Sequence, residues 1–547
     1  MKTCCGVPLI IKKLAAVLSR KDTTIEEWSG VLQRLNEDEE FRSHILYEIN
    51  GRLPLHMKRC LFYFGLFPQN FEIPARRLIA LWIAEGLVYP KEETETPEDV
   101  AKKYLTKLIG QCMVQVTKKK VNGEVQACRL PDPIRKQWFL KAKKATFLQR
   151  QTSITSSDIS LGTGMVRRLV DRLDESDASF THIHGHHNTI SIPLKAHYEA
   201  TSSFISFDTR EGSLPGDNIR NFLHRCISSG CFLLLQVLDL EHVYKPNLPV
   251  ELGKLTRLRY LGLRRTYLEM LPSSISKLLN LLTLDLKHTN IITLPSVIWK
   301  LQQLRHLYLN ESYWSKFMHQ PSAGSLTALQ TLWGLFVDEK TPVKDGLDRL
   351  VTLRKLAVKF RLTPSQQEAM LSQLEAVADW VLKLSHLQSL RLTSIDEENQ
   401  PWDLDLKPLF NHVKLSSVYL LGRLKNPSVM SEFPHSLSTL TLSWSGLTED
   451  PMQTLDKLPN LRVLRLLRRS YIGKHMLCPS RGFPQLRVLK LWELEQLEEW
   501  NVEERALGAL RDLEIRSCMV LRMLPEGLRH RTFLELKLTG MPSQFTA

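Results

Sequence analysis

From Leu235 onward the apolar positions follow a fixed rhythm. Leu235, Leu238 and Leu240 form an LxxLxL frame that returns at Leu258, Leu281 and Leu304, each start 23 residues after the last. The same frame, with substitutions, continues from positions 329, 353, 387, 415, 437, 461, 486, 510 and 533. One such unit cannot bury its own leucines. Stacked units can, so the period predicts a solenoid in which short parallel strands share one continuous core. The connecting halves bring their own apolar residues, as in Leu271-Pro272, Ile275 and Leu278, repeated at Leu294-Pro295, Ile298 and Leu301. Thr266 and Thr289 stand where many such repeats carry Asn, and their hydroxyls can bond turn backbone.

Strand residues between the leucines are expected on the opposite, concave face. They include Arg259, Tyr260, Arg305, His306, Tyr308, Trp333, Arg391, Tyr419, Arg462, Arg465, Arg487 and Lys490. Arginine interleaved with aromatics is the composition of protein-binding surfaces. Arg259, Tyr308, Trp333, Arg391, Tyr419, Arg462, Arg465, Arg487 and Lys490 are therefore the partner-binding candidates. The stretch 363–384 breaks the rhythm; Thr363 as cap and Pro364 at the first helical position predict an inserted helix on the convex flank.

Residues 1–145 change period. An apolar helix is expected over 53–67, and a second opens at Pro74 with Leu78, Leu81, Trp82 and Leu87 in phase. Thr96-Pro97-Glu98-Asp99 combines a hydroxyl cap, a first-turn proline and carboxylates at the positive helix end. Two short β-runs around Asn122-Gly123 predict a hairpin with a type I′ turn. Helices followed by a small hairpin suggest a winged helix. Residues 151–163 are rich in Ser and Thr and read as a hinge.

Charge changes the picture little. The chain of 547 residues carries a net charge of +15, with 26 basic and 18 acidic residues in 1–160 and 47 and 40 in the rest. The excess is dispersed, and Lys118-Lys119-Lys120 reads as a solvated strand end, which argues against nucleic-acid binding. No apolar run reaches the length of a membrane span. Nine cysteines without a CxxC pair indicate reduced thiols and a cytoplasmic or nuclear setting. His182, His184, His186 and His187 lie in an expected loop without a carboxylate or cysteine at ligand spacing, so no metal site is expected. No nucleophile–base constellation points to an enzyme.

Several segments resemble one family. Cys5-Gly6-Val7-Pro8-Leu9 looks like the GLPL motif of plant nucleotide-binding leucine-rich-repeat (NB-ARC-LRR) disease resistance proteins of the coiled-coil class. Leu53-Pro54 through Phe67-Pro68, followed by Leu81-Trp82-Ile83-Ala84-Glu85-Gly86, is similar to that family's second helical subdomain. Leu130-Pro131-Asp132 stands at the place of its Met-His-Asp motif. The resemblance implies an α/β chain: the helical and winged-helix C-terminal part of an NB-ARC module followed by a leucine-rich-repeat solenoid. The expected divisions are 1–50 for the end of the helical subdomain, 51–147 for the winged helix, 148–234 for hinge and repeat cap, and 235–547 for the solenoid.

The resemblance also implies intracellular pathogen sensing with an ADP/ATP switch, through protein partners: an effector, a guarded host protein or a related receptor. The sequence departs from it by starting at the GLPL motif, without GxxxxGK[ST], and by carrying Pro131 where the family has histidine. No cofactor is therefore expected on this chain alone; Pro8 and Leu9 are residual nucleotide contacts at most. Asp132 is expected to cap a helix over 133–144. The expected function is an immune-receptor fragment in which the winged helix restrains the first repeats and the concave face binds protein. The alternatives are an incomplete gene model of a full switching receptor, or a repeat decoy or adaptor scaffold.

Overall fold

A computed structural model describes residues 15, 18–19, 24–37, 53–90, 92, 95–132, 134–135, 166–185, 194–310, 315–317, 326–363, 366–529 and 535–545. The chain divides into two compact units, Met1–Gly262 and Leu263–Ala547. Pro8, Leu9 and the hinge over 151–163 lie outside the described residues.

The first unit begins with α1 (Ile25–Glu37) and α2 (Leu55–Phe62), the latter tightening into a 3-10 turn over Tyr63–Leu66. Next come β1 (Ile73–Pro74), α3 (Ala75–Ala84), α4 (Pro97–Gly110), β2 (Gln115–Lys119) and β3 (Val125–Arg129). The three strands form an antiparallel sheet in the order β1-β3-β2. Thr96 caps α4 as its sequence predicts, its hydroxyl oxygen accepting from Asp99 N–H at 3.3 Å. The hairpin turn differs from expectation. Asn122 keeps a negative φ and only Gly123 is left-handed, at φ +87°. Gly123 N–H donates to Lys120 O at 2.8 Å and Lys120 N–H to Glu124 O at 2.7 Å, the three-residue loop with a bulged glycine. Lys118 and Lys120 pair with Glu72 and Glu124 at 2.6 Å each, as a solvated strand end should.

The same unit continues through β4 (Arg168–Asp171), α5 (Ala178–His184), α6 (Leu194–Tyr198), β5 (Ser203–Ser206), α7 (Ser213–Ser228), β6 (Val237–Asp239) and β7 (Tyr260–Gly262). Strands β4 to β7 pair in parallel in chain order. The first two were missed by the period because they sit 35 and 34 residues ahead of their successors and carry Phe204 where a leucine was sought. Tyr198, Phe204, Phe222 and Phe232 fill this cap as one aromatic cluster with centroid separations of 5.6–6.1 Å.

The second unit carries the parallel strands β8 (Thr283–Asp285), β10 (His306–Tyr308), β12 (Thr331–Val337), β13 (Lys355–Leu362), β14 (Ser389–Asp396), β16 (Ser417–Leu421), β18 (Thr439–Ser443), β19 (Val463–Leu467), β21 (Val488–Trp492), β23 (Asp512–Arg516) and β24 (Glu535–Thr539). Short pairs behind them are β9 (Thr293–Leu294) with β11 (Lys316–Phe317), β15 (Asp403–Leu404) with β17 (Arg423–Leu424), and β20 (His475–Cys478) with β22 (Glu499–Val502). Each main strand begins two residues into an LxxLxL frame, so the frame leucines are buried, as at Leu284, Leu307, Leu440, Leu464 and Leu489. The threonines act as expected: Thr266 and Thr289 hydroxyls donate to Leu263 O and Leu286 O, each at 2.8 Å.

The inserted helix α8 (Gln367–Leu382) starts later than predicted, with Gln366 at its N-cap; the Thr363 hydroxyl bonds the Gln366 side chain at 2.8 Å. Trp380 anchors it, fully buried with its indole N–H on Leu350 O at 3.3 Å.

Candidate functional site

Two places concentrate chemistry. The first is inside the first unit, where the winged helix meets strands β4 to β7. Helix α3 presents Arg77, Leu78, Leu81 and Trp82 on one face, the i, i+1, i+4, i+5 pattern that the sequence displays. Leu78, Leu81 and Trp82 join a single core with Ile205, Val237 and Tyr260 of the first strands. Tyr260, expected on an open face, is 1% exposed because this helix covers it.

Arg77 is equally buried, and its charge is met by two carboxylates. Its Nε donates to Asp239 Oδ2 at 2.8 Å and lies 3.1 Å from Glu241 Oε2, the second contact being an ion pair without hydrogen-bond alignment. The guanidinium also stands 5.6, 5.9 and 5.7 Å from the ring centroids of Phe67, Phe71 and Phe207. Burial raises the Asp239 pKa, against the lowering pull of Arg77. Arg77 itself is held protonated by Asp239 and Glu241 in spite of desolvation.

A second buried pair lies beside it. Arg168 Nε reaches both Glu85 oxygens at 3.1 Å, and the Ser203 hydroxyl donates to the same carboxylate. Arg172 Nη2 donates to Gly65 O at 2.8 Å and Leu66 O at 3.0 Å. Arg259 was expected on the open face; instead its Nη1 points to Ala84 O at 3.4 Å, closing the C-terminal end of α3. Sequence reading missed Arg77, Glu85, Arg168, Asp239 and Glu241, since charged residues 162 positions apart carry no local signal.

The second place is the outward face of the sheet in the second unit. Strand register puts Tyr308, Trp333, Ala357, Arg391, Tyr419, Thr441, Arg465, Lys490 and Glu514 at one equivalent position on successive strands. Tyr308, Trp333, Arg391, Tyr419, Arg465 and Lys490 are thus brought into one row. Arg462 and Arg487 are not: they are exposed at the strand entries, Arg487 N–H donating to Arg462 O at 2.8 Å. Arg391 stacks on Tyr419 at 4.3 Å. Lys490 pairs with Glu514 and lies 5.3 Å from the Trp492 ring.

Two expectations are corrected. The segment 182–184 is helical, and the fold brings carboxylates to it: Asp171, His184 and Asp208 lie within 4.8 Å of one another, a group that could hold a metal ion. Arg210 already grips Asp208 at 2.7 and 3.0 Å and stands 3.2 Å from His184 Nδ1, so a fixed cation serves these acids. Asp132 does not cap from outside the helix. Arg135 N–H donates to Pro131 O at 2.9 Å, which puts exposed Asp132 in the first turn and Leu130 in the core. A phosphate does not fit here: Pro131 has no N–H, Asp132 is anionic, and Arg135 is committed to Phe67 O at 2.6 Å.

These features define a leucine-rich-repeat chain with a winged helix docked on its leading strands. Residues 219–543 match the profile of a leucine-rich repeat region, and residues 66–136 that of the disease resistance protein winged helix domain. Disease resistance RPP8-like protein 3 of Arabidopsis thaliana is 31% identical over 99% of this chain and 58% of its own length. Disease resistance protein RPP8 of the same plant is 30% identical over the same shares. The chain belongs to the leucine-rich-repeat disease resistance proteins of plants. It spans about half the length of the curated relatives it matches. No helix among the described residues is long and apolar enough to cross a membrane.

Proposed function

We propose that this chain is the recognition and restraint portion of a plant immune receptor of the cytoplasm or nucleus, and not an enzyme. The row of aromatics and cations on the repeat sheet binds a protein: a pathogen effector, a guarded host protein or a related receptor. The docked winged helix is the restraint. ADP or ATP belongs to the complete family architecture, and the residues at 130–132 give it no support.

The observation that carries this reading is the doubly ion-paired contact of α3 with β4 to β6, Arg77 with Asp239 and Glu241, and Glu85 with Arg168. Loss of either partner strands a charge in the core, so the contact depends on both sides being in place together. The test is hydrogen exchange together with transient expression in leaves. Arg77→Ala with Arg168→Ala should speed exchange in residues 75–84 and raise ion leakage above the unsubstituted chain. Faster exchange without any defence output would remove the restraint from the proposal.

A further inference from the structure

The sheet row contains one cation that the fold leaves unanswered. Arg465 is half-buried on β19, and its only hydrogen bond among the described residues runs from Nη1 to Thr441 Oγ1 at 3.2 Å. No described carboxylate lies within ion-pair distance of it. Desolvation lowers its pKa; Asp512 pulls the other way without reaching it. Its neighbour Lys490 differs, being already paired with Glu514.

The flanks supply aromatic rings. Trp492, one strand over and two residues on, has a buried indole N–H with no acceptor among the described residues. Arg516 stacks on that indole at 5.6 Å and is exposed. On the other side stands Tyr419, two strands from Arg465. Adjacent strands are about 4.8 Å apart, so Tyr419 to Lys490 spans about 14 Å, the reach of four or five extended residues.

Resting on the reading that this face binds protein, the geometry points to an acidic polypeptide segment as the occupant, with one of its carboxylates received by Arg465 between Tyr419 and Trp492. Arg465 offers an unpaired guanidinium, and a guanidinium fork takes a carboxylate through two parallel hydrogen bonds. A nucleic acid is a poorer match: a polyphosphate needs several free cations in series, and the cation beside Arg465 is neutralised by Glu514. The arrangement also separates binding from stability. A desolvated guanidinium without a counter-ion costs the fold free energy, so an apolar replacement should relieve it.

A random linear peptide library selected on the full chain, with fluorescence anisotropy on the recovered peptides, tests this. Expected are peptides rich in Asp and Glu that lose roughly tenfold or more in affinity with Arg465→Met and less with Arg465→Lys. Arg465→Met should melt no lower than the original chain. Peptides that fail on Tyr419→Ala and Trp492→Ala but ignore Arg465→Met would overturn the acidic occupant and keep the face as a binding surface. Peptides indifferent to all of these would overturn both. An oligothymidine probe competing as tightly as the peptides would overturn the choice of a polypeptide.

Discussion

Arg77 and Asp239 lie 162 residues apart in sequence and 2.8 Å apart in space, both withdrawn from water. Removing Arg77 strands two carboxylates, Asp239 and Glu241, in a core. Arg77→Ala should therefore cost about 3–5 kcal/mol, whereas Arg77→Met paired with Asp239→Leu and Glu241→Leu should recover most of it. Urea denaturation followed by far-UV circular dichroism reads the difference. A single variant as stable as the parent would mean that the fold does not depend on this buried ion pair.

His182 sets an acid limit. It is buried, its Nδ1 lies 2.6 Å from the Tyr198 hydroxyl, and desolvation lowers its pKa from 6.5 to about 4. The neutral form is the folded one. Its contribution is complete above pH 6.5 and is lost as pH falls, because the unfolded chain takes up the proton first. The slope is about 1.4 kcal/mol per pH unit, about 3 kcal/mol by pH 4. The double variant His182→Phe, Tyr198→Phe should flatten this part of the melting-temperature profile between pH 6.5 and 4.

The threonine ladder is testable by near-isosteric change. Thr266→Val and Thr289→Val keep the volume but leave Leu263 O and Leu286 O without their hydroxyl donors. Each should cost about 1 kcal/mol, and Thr289→Asn should restore part of the loss. Denaturation midpoints of the three variants give the comparison; equal stability of Thr289→Val would show that backbone donors suffice.

Gly216 inverts the usual helix rule. Alanine normally gains about 1 kcal/mol over glycine inside a helix. Here an added Cβ would stand 2.2 Å from Lys245 O and 2.7 Å from Tyr244 O, both backbone atoms. Gly216→Ala should instead lower the melting temperature, by the equivalent of about 2 kcal/mol.

Local signals in the sequence carried most of the fold. The LxxLxL frame located strands to within two residues because each unit repeats one burial problem, and Thr96-Pro97 marked α4 because caps act over a single turn. The candidate row was also legible: Arg391, Tyr419, Arg465 and Lys490 alternate with buried leucines, and β-strand alternation decides which face they take. Legibility ended where tertiary contact overrode the local pattern. Tyr260 follows the same alternation and Arg259 stands at the strand entry, yet a helix from elsewhere in the chain covers one and engages the other. Asn122-Gly123 failed for a smaller reason, since one extra loop residue lets Gly123 alone carry the left-handed turn.

Because the row takes one side chain from each strand while the leucines on either side hold the core, its chemistry is separable from its scaffold. Exchanging Tyr419 or Lys490 would unpair a neighbour in the line, Arg391 or Glu514, but not the leucines that keep the line straight. Such a surface can change its side chains while the scaffold beneath it keeps its packing.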